Sequence, residues 1–314
     1  MKNMQTMTAI TLLLAALLVS AGCATTQPTV STSGEYRKML ELQKQKNQAA
    51  DKEMAQKKLP EMSAEDHDAV GDRYFRQGDH THAFLEYRRA VAMNPELLGT
   101  RYKLGRLYLE KGLSDEALKE FGTIARKNPA NGLARLGRGM VFFRKGDLQA
   151  ARSEFENALS LDGSLWQAHA SLGLILDRES ATSDEGRMHY NKGIALNPGS
   201  VELYNNLGMS YYLKGDYTQA IAAYGKALRI DPSNRRVANN LGLALGKAGA
   251  YGQAFDAFRK GQNTAGAYNN MGFLYLTERR YAEAAEALEK AIDLNPAFYV
   301  KAQENMEMVV AEGK

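Results

Sequence analysis

A short phrase ending in proline recurs along the chain and sets the period of its fold. Asparagine or aspartate precedes five of the seven prolines. These five are Pro95, Pro129, Pro198, Pro232 and Pro296. The first two lie 34 residues apart, as do Pro198 and Pro232, and the two longer gaps each have room for two units. Self-similarity at a fixed period of roughly 20 to 50 residues is typical of a repeat architecture.

Alignment on these phrases divides residues 64–297 into seven units. Their starts lie near Ala64, Leu98, Gly132, Trp166, Val201, Arg235 and Ala265. Each unit has two apolar stretches with helical spacing, which predicts a pair of helices. A glycine occurs at the same position of every predicted first helix, at Gly71, Gly105, Gly139, Gly173, Gly208, Gly242 and Gly272. Because a glycine inside a helix costs about 1 kcal/mol relative to alanine, its recurrence predicts close helix approach there.

The fifth unit shows the full pattern. Its small and apolar positions are Tyr204, Leu207, Gly208, Tyr211, Ala220, Tyr224, Ala227 and Pro232. This arrangement resembles the tetratricopeptide-repeat motif, and the resemblance covers about four fifths of the chain. It implies an all-α, right-handed solenoid of seven helix-turn-helix repeats. Residues 298–314 are expected to supply a capping helix and tail, because the last repeat of a solenoid needs its apolar face covered.

The N-terminus has the order of a cleaved export signal. Lys2 supplies positive charge, residues 8–19 are uncharged and mostly apolar, and three small residues precede Cys23. The apolar stretch is shorter than the roughly 18 to 20 residues of a spanning helix. The order resembles a bacterial lipobox, which implies that residues 1–22 are removed and that Cys23 carries diacylglyceryl and N-acyl lipid. A plain secretory signal and an uncleaved anchor are the alternatives.

The expected location follows from the residues around the lipid site. Cys23 is the only cysteine, so an internal disulfide and a multi-cysteine metal site are excluded. Ala24 stands where the lipoprotein resemblance places aspartate in proteins kept at the inner membrane. We therefore expect a lipid-anchored, periplasm-facing protein of the outer membrane. Residues 23–63 are polar and charged and are interpreted as a flexible tether, with a partner-binding helix in the second half as the alternative.

Asparagine pairs in the last three units are the main candidate binding residues. The pairs are Asn205 and Asn206, Asn239 and Asn240, and Asn269 and Asn270. All lie on predicted first helices, which line the concave groove of a solenoid. The second of each pair resembles the asparagine ladder with which other tetratricopeptide proteins grip an extended peptide, and a carboxamide both donates and accepts hydrogen bonds. The alternative interpretation is that these asparagines support packing between repeats.

The earlier units contain two further groups of polar residues. Lys103 and Arg106 form a possible second surface, although an ordinary solvated helix face is the alternative, and they fall short of the basic set of carboxylate-clamp repeat proteins. His67, His80 and His82 are interpreted as polar residues near a turn. They are not interpreted as zinc ligands, because no acidic or cysteine ligand accompanies them at a diagnostic spacing.

Several classes of function are disfavoured by the sequence. The net charge of +4 is spread along the chain with no long basic run, so nucleic-acid binding is not indicated. No nucleophile elbow, phosphate loop or dinucleotide motif occurs in a strand–turn–helix setting. We therefore expect neither catalysis, nor a metal site, nor a cofactor other than the lipid.

These features together predict a membrane-tethered adaptor whose groove holds segments of partner proteins and assists assembly of an envelope machine. The chain resembles tight-adherence (Flp) pilus assembly lipoproteins, which share an abbreviated unit followed by a start like that of Ala267 to Gly272. It also resembles type IV pilus pilotins, which help a secretin to assemble. This resemblance implies pilus or secretin components as partners. The alternative is a scaffold that docks periplasmic proteases or peptidoglycan hydrolases.

Overall fold

A computed structural model describes residues 37–38, 40–44, 62–180 and 184–295. Between Ala64 and Leu294 it contains fourteen α-helices in seven consecutive pairs, and no strand occurs within these described ranges. The predicted all-α repeat architecture is therefore confirmed. The signal segment, the lipidation site Cys23 and the expected capping helix lie outside the described residues.

The helices form two compact units, divided between Ile175 and Leu176 within α7. In the first four repeats the helices are α1 Ala64–Arg76, α2 His80–Met93, α3 Leu98–Glu110, α4 Ser114–Lys127, α5 Gly132–Lys145, α6 Leu148–Leu161, α7 Trp166–Glu179 and α8 Glu185–Leu196. In the last three they are α9 Val201–Lys214, α10 Tyr217–Ile230, α11 Arg235–Lys247, α12 Tyr251–Gly261, α13 Thr264–Thr277 and α14 Tyr281–Leu294. We call the described residues up to Ile175 the N-terminal unit and those from Leu176 onward, which include α8, the C-terminal unit.

Local side chains define where the helices begin. Ser63 and Asp66 form a capping box at α1, in which each side chain bonds the backbone N–H of the other residue. Asn131 and Ser200 cap α5 and α9 by accepting a hydrogen bond from the third helical N–H. Such caps satisfy donors that the first turn of a helix leaves unpaired. The short polar stretches between the apolar runs therefore act as helix start signals.

Recurrent glycines allow each pair of helices to pack closely. A Cβ atom built on the first-helix glycine would lie only 2.5 to 2.7 Å from the nearest atom of a second-helix side chain in six repeats. The pairs are Gly71–Tyr87, Gly105–Phe121, Gly139–Phe155, Gly208–Tyr224, Gly242–Phe258 and Gly272–Leu288. The close approach predicted from the sequence is thus confirmed at these six positions. The facing side chains are almost completely buried and form the core between the two helices.

First helices of neighbouring repeats also contact each other. Helix α3 contacts α5 in the N-terminal unit, and α9 contacts α11 and α11 contacts α13 in the C-terminal unit. Each of these groups therefore forms a continuous layer of first helices. No helix in the described ranges is long and apolar enough to cross a membrane.

Part of the predicted tether lies against the first two repeats. The described residues between 37 and 44 are helical, and Leu40 packs against the core formed by α1, α2 and α3. The Arg37 guanidinium lies 3.0 Å from the Glu116 carboxylate at the start of α4. These described residues of the segment are thus associated with the N-terminal unit.

The turn of the seventh repeat contains a strained residue. Arg279 has φ of 59°, whereas the equivalent turns place glycine at positive φ, as at Gly249 with φ of 82°. Because a side chain in the left-handed region clashes with its own backbone, Arg279→Gly should stabilise the protein by about 0.5–1 kcal/mol after the added freedom of the unfolded chain is subtracted. Urea denaturation measures this change. The reciprocal variant Gly249→Ala should destabilise the protein, and a stabilising effect there would contradict the argument.

Candidate functional site

The asparagine pairs lie together in the first-helix layer of the C-terminal unit. Asn205, Asn240 and Asn269 are 6%, 6% and 3% exposed, and their neighbours Asn206, Asn239 and Asn270 are half-buried. The pairs occupy the same helical position, because the first asparagine of each lies three residues before the recurrent glycine of its helix, as Asn205 lies before Gly208. The repeat period thus places all six carboxamides on three adjacent helices.

Hydrogen bonds between carboxamides connect these helices. Asn240 Nδ2 donates to Asn205 Oδ1 over 2.9 Å, which joins α11 to α9. Asn270 Nδ2 donates to Asn239 Oδ1 over 3.4 Å, which joins α13 to α11. The second asparagine of one repeat therefore bonds the first asparagine of the preceding repeat. These contacts give the pairs a packing function whatever else they bind.

The same contacts leave some hydrogen-bonding capacity unused. Asn206 Oδ1 accepts a 3.4 Å hydrogen bond from Asn205 Nδ2, and the Nδ2 group of half-buried Asn206 donates to no described residue. Asn270 uses one donor on Asn239, and its Oδ1 has no hydrogen bond to another described residue. Asn269 Oδ1 is buried and likewise lacks a partner among the described residues. The layer therefore presents a donor on α9 and an acceptor on α13, which are the two groups a peptide backbone requires.

Lys103 and Arg106, the sequence-predicted second surface, have different environments. Lys103 Nζ lies 3.0 Å from Asp68 Oδ1 and 2.7 Å from Asp72 Oδ1, and Asp72 also accepts a 2.8 Å hydrogen bond from Tyr87. Burial alone would lower the pKa of Lys103, but its hydrogen bonds and ion pairs with these aspartates raise it. Lys103 therefore links α3 to α1. Arg106 is exposed and makes no ion pair with any described residue.

Each of the three histidines of the first repeat contacts a carboxylate. The Nδ1 atoms of His67, His80 and His82 lie 2.6 Å from Glu86, Glu110 and Asp79, respectively. Their imidazoles thus serve as local polar contacts within and between the first two repeats. No group of three or more potential metal-binding side chains occurs in the part of the chain that the structure describes.

A row of contacts between a basic side chain and a carboxylate in the first three repeats was not predicted from the sequence. His67 pairs with Glu86, Arg101 with Glu120 at 2.6 Å, and Arg135 with Glu154 at 3.4 Å. Successive members lie 34 residues apart on both helices, which is the signal that could have identified them. The third pair contains a second cation, because Arg138 lies 2.7 Å from the same Glu154 carboxylate. The Nε atoms of Arg135 and Arg138 are buried without an acceptor in the described part of the chain.

A second unpredicted polar cluster lies in the C-terminal unit. Buried Arg187 donates to Ser210 Oγ over 3.0 Å, and Ser210 donates to Asp177 Oδ1 over 2.9 Å. Tyr190 donates to the other oxygen of Asp177 over 3.1 Å. Burial raises the pKa of Asp177, although the hydrogen bonds from Ser210 and Tyr190 act in the opposite direction. This cluster connects the end of α7, α8 and α9 through hydrogen bonds.

Comparisons with known proteins agree with this architecture. Two family models described as tetratricopeptide repeat match the chain, one over residues 201–234 and 265–298 and the other over residues 102–168. A curated relative, the BBSome complex member bbs-4 of Caenorhabditis elegans, is 24% identical over 147 residues. That match covers 46% of this chain and 31% of the relative, so the chain spans about a third of that protein's length.

Solved structures show the same fold. A tetratricopeptide repeat protein from Parabacteroides merdae is 16% identical, with a TM-score of 0.52 over 80% of this chain and 100% of that chain. The structure of Pseudomonas aeruginosa pilF is 20% identical, with a TM-score of 0.54 over 69% of this chain and 98% of that chain. These likenesses concern the fold alone. The matched repeats and the seven helix pairs agree with these likenesses and support a tetratricopeptide-repeat fold for the chain.

Proposed function

We propose that this protein is a lipid-tethered adaptor of the outer membrane that holds partner proteins during assembly of a pilus or secretion system. Its repeat fold supports a role in protein–protein interaction, because stacked first helices provide an extended binding surface. The curated relative is, by its name, a member of a protein complex, which supports the same class of role. The proposal includes no catalytic step.

The observation that carries the proposal is the unused hydrogen-bonding capacity of the three asparagine pairs on α9, α11 and α13, which we call the asparagine layer. Asn206 Nδ2 on α9 and Asn270 Oδ1 on α13 each lack a hydrogen-bond partner among the described residues. The backbone of an extended peptide crossing the three helices would accept a hydrogen bond from Asn206 Nδ2 and donate one to Asn270 Oδ1. Such hydrogen bonds recognise the peptide backbone and do not depend on its side chains. Each contributes about 1 kcal/mol to the binding free energy. The site therefore suits an extended segment of a partner.

Two single substitutions separate binding from packing in this layer. Asn206→Ala should weaken capture of the partner by about fivefold while the melting temperature stays unchanged, because Asn206 accepts only a long bond from its neighbour. Asn240→Ala should lower stability by about 1–3 kcal/mol, because it leaves the buried Asn205 Oδ1 unpaired. Crosslinking in intact cells followed by mass spectrometry measures capture, and circular dichroism measures melting.

The identity of the crosslinked proteins also tests which envelope system the protein helps to assemble. Pilus or secretin components that disappear from the Asn206→Ala sample would support the proposal. Recovery of periplasmic proteases or peptidoglycan hydrolases alone would instead support a scaffold for those enzymes. Unchanged capture by Asn206→Ala would contradict the assignment of the asparagine layer as the binding site.

Membrane attachment is tested at the proposed lipid site. Cys23→Ser removes the thiol to which the lipid would be joined, so the protein should move from the membrane fraction to the soluble fraction. Several acyl chains are needed for firm attachment, since each buried CH2 contributes about 0.8 kcal/mol. Fractionation of cells and immunoblotting measure the distribution, with Ser20→Ala as a matched control. Retention of the Cys23→Ser protein in membranes would refute lipid anchoring.

A further inference from the structure

The first helices of the second and third repeats are rich in basic residues. Helices α3 and α5 together contain seven basic residues and one acidic residue, Glu110. The basic residues are Arg101, Lys103, Arg106, Arg135, Arg138, Arg144 and Lys145. The two helices contact each other within the N-terminal unit, so these charges lie in one continuous layer. What this layer can bind depends on which charges are already compensated.

Six of the seven basic side chains are engaged within the N-terminal unit. Five form ion pairs: Arg101 with Glu120, Lys103 with Asp68 and Asp72, Arg135 and Arg138 with Glu154, and Lys145 with Asp115. Arg144 Nη1 donates to the backbone carbonyl of Leu109 on α3. Arg106 is exposed, with no ion pair to any residue in the described ranges. Arg106 is therefore the cation in this layer with neither a hydrogen bond nor an ion pair to a described residue, and Arg144, which is exposed and bonded only to a neutral carbonyl, adds further positive charge.

Half-buried apolar side chains lie on the same side of α3 as Arg106. Tyr102, Arg106 and Leu109 are spaced by four and three residues, which places them on one face of the helix. Tyr102 and Leu109 are both half-buried. The ring of Tyr102 lies 5.6 Å from that of Phe121, and Phe121 also lies against Gly137 of α5. Helices α3 and α5 thus both contact one buried aromatic ring.

Helix α5 has apolar side chains at the equivalent positions, because Met140 and Phe143 lie 34 residues after Arg106 and Leu109. Met140 and Phe143 are half-buried and three residues apart, so they too share a helix face. The hydrogen bond from Arg144 to the Leu109 carbonyl joins the C-terminal ends of the two helices beside them. We call Tyr102, Arg106, Leu109, Met140 and Phe143 the α3–α5 surface. It combines four partly exposed apolar side chains with one uncompensated cation.

We propose that the α3–α5 surface docks an acidic segment of a partner protein that also carries apolar side chains. Charge complementarity favours an acidic segment, because the uncompensated charge is positive and the nearby carboxylates of Asp68 and Asp72 are already bonded to Lys103. A guanidinium binds a carboxylate through two parallel hydrogen bonds, which fixes its orientation. The apolar side chains of the segment cover Tyr102, Met140 and Phe143. This surface lies in the N-terminal unit and recognises the side chains of the docked segment. The asparagine layer of the C-terminal unit instead binds backbone groups.

A defined peptide tests this docking surface. The probe is a fluorescein-labelled, end-capped peptide of twelve residues in which Glu alternates with Leu and Phe, and a matched peptide has Gln in place of each Glu. Binding to the purified full chain is measured by fluorescence anisotropy at low and high salt. The acidic peptide should bind more tightly than the Gln peptide, and the difference should shrink in high salt because exposed charges are screened.

Variants assign the effect to Arg106. Arg106→Gln should weaken binding of the acidic peptide by about fivefold, which is the upper end of what an ion pair at an exposed site contributes. Arg106→Glu should reverse the preference in favour of a peptide with Lys in place of Glu. Arg126→Gln is the matched control, because Arg126 is exposed on α4 and donates to Thr123 of its own helix. It should bind like the unchanged protein, as should Asn206→Ala.

Three results would overturn the proposal. One is equal affinity for the Glu and Gln peptides, or no effect of Arg106→Gln. A second is an equal loss of affinity in Arg126→Gln, which would show that the peptide responds to overall charge. The third is a dimer of the unchanged protein in analytical ultracentrifugation that Arg106→Gln abolishes, because a second copy of the chain would then be the occupant. Failure of the asparagine-layer proposal leaves all these results unaffected.

Discussion

Phe121→Ala should destabilise the protein by about 3–5 kcal/mol, because it removes a large side chain whose surroundings cannot collapse into the space. Phe121 is 0% exposed. A Cβ atom on Gly105 of α3 would lie 2.7 Å from its ring, and one on Gly137 of α5 would lie 2.5 Å from it. The ring thus fills the space between two first helices that have no side chain at those points. Its loss should loosen both contacts together.

Urea denaturation followed by circular dichroism measures the effect of Phe121→Ala. Hydrogen exchange of α3, α4 and α5 should show whether the loss is confined to these repeats, as expected when each repeat contacts only its neighbours. Leu133→Ala is the control, because Leu133 lies on α5 but is 39% exposed and should cost less than about 1 kcal/mol. An effect of Phe121→Ala as small as that of the control would show that the helices can close over the missing ring.

Glu154→Ala should destabilise the protein by about 2–3 kcal/mol, because it leaves two guanidinium groups without their shared carboxylate. Glu154 is buried on α6, with Arg138 at 2.7 Å and Arg135 at 3.4 Å. Both arginine side chains keep roughly a third of their surface in solvent, so water compensates part of the lost interaction. The effect should therefore fall below that of breaking a fully buried ion pair.

Arg138→Leu provides the matched comparison for Glu154. The other six first helices have an apolar residue at this position: Val70, Leu104, Leu172, Leu207, Leu241 and Met271. Leucine would fit a site of this kind, and Arg135 would still neutralise Glu154. We therefore expect a change of less than about 1 kcal/mol, or a gain in stability. If Arg138→Leu destabilises the protein as much as Glu154→Ala, the shared-carboxylate explanation is wrong.

The repeat fold was predictable because its signals are local and recur. Turn residues such as Asn94-Pro95 stop a helix wherever they occur, and a glycine such as Gly105 tolerates a close neighbour in every repeat. The predicted helix pairs and the predicted close approach at Gly105 are confirmed. These features depend on residues within one unit or in the next, so a linear pattern contains enough information to identify them.

The binding residues were less predictable, since their availability depends on contacts across repeats. Lys103 and Arg106 are equally basic in sequence, yet Asp68 and Asp72 of the preceding repeat engage only Lys103. Asn206 and Asn240 occupy equivalent positions, yet Asn240 is buried and bonded to Asn205. Peptide gripping by the asparagines, lipidation of Cys23 and the outer-membrane location are still predictions to be tested.

The sequence by itself determined the period, the pairing of helices and the small residues that let paired helices pack, because each of these follows from the intrinsic preferences of a few neighbouring residues. Only the tertiary structure decided which polar side chains form internal hydrogen bonds or ion pairs and which are available to bind a partner. That outcome depends on which side chains of neighbouring repeats, 31 to 35 residues apart in sequence, come within hydrogen-bonding distance of each other. For this reason Lys103 is bonded to carboxylates of the preceding repeat, whereas Arg106, three residues later on the same helix, is exposed.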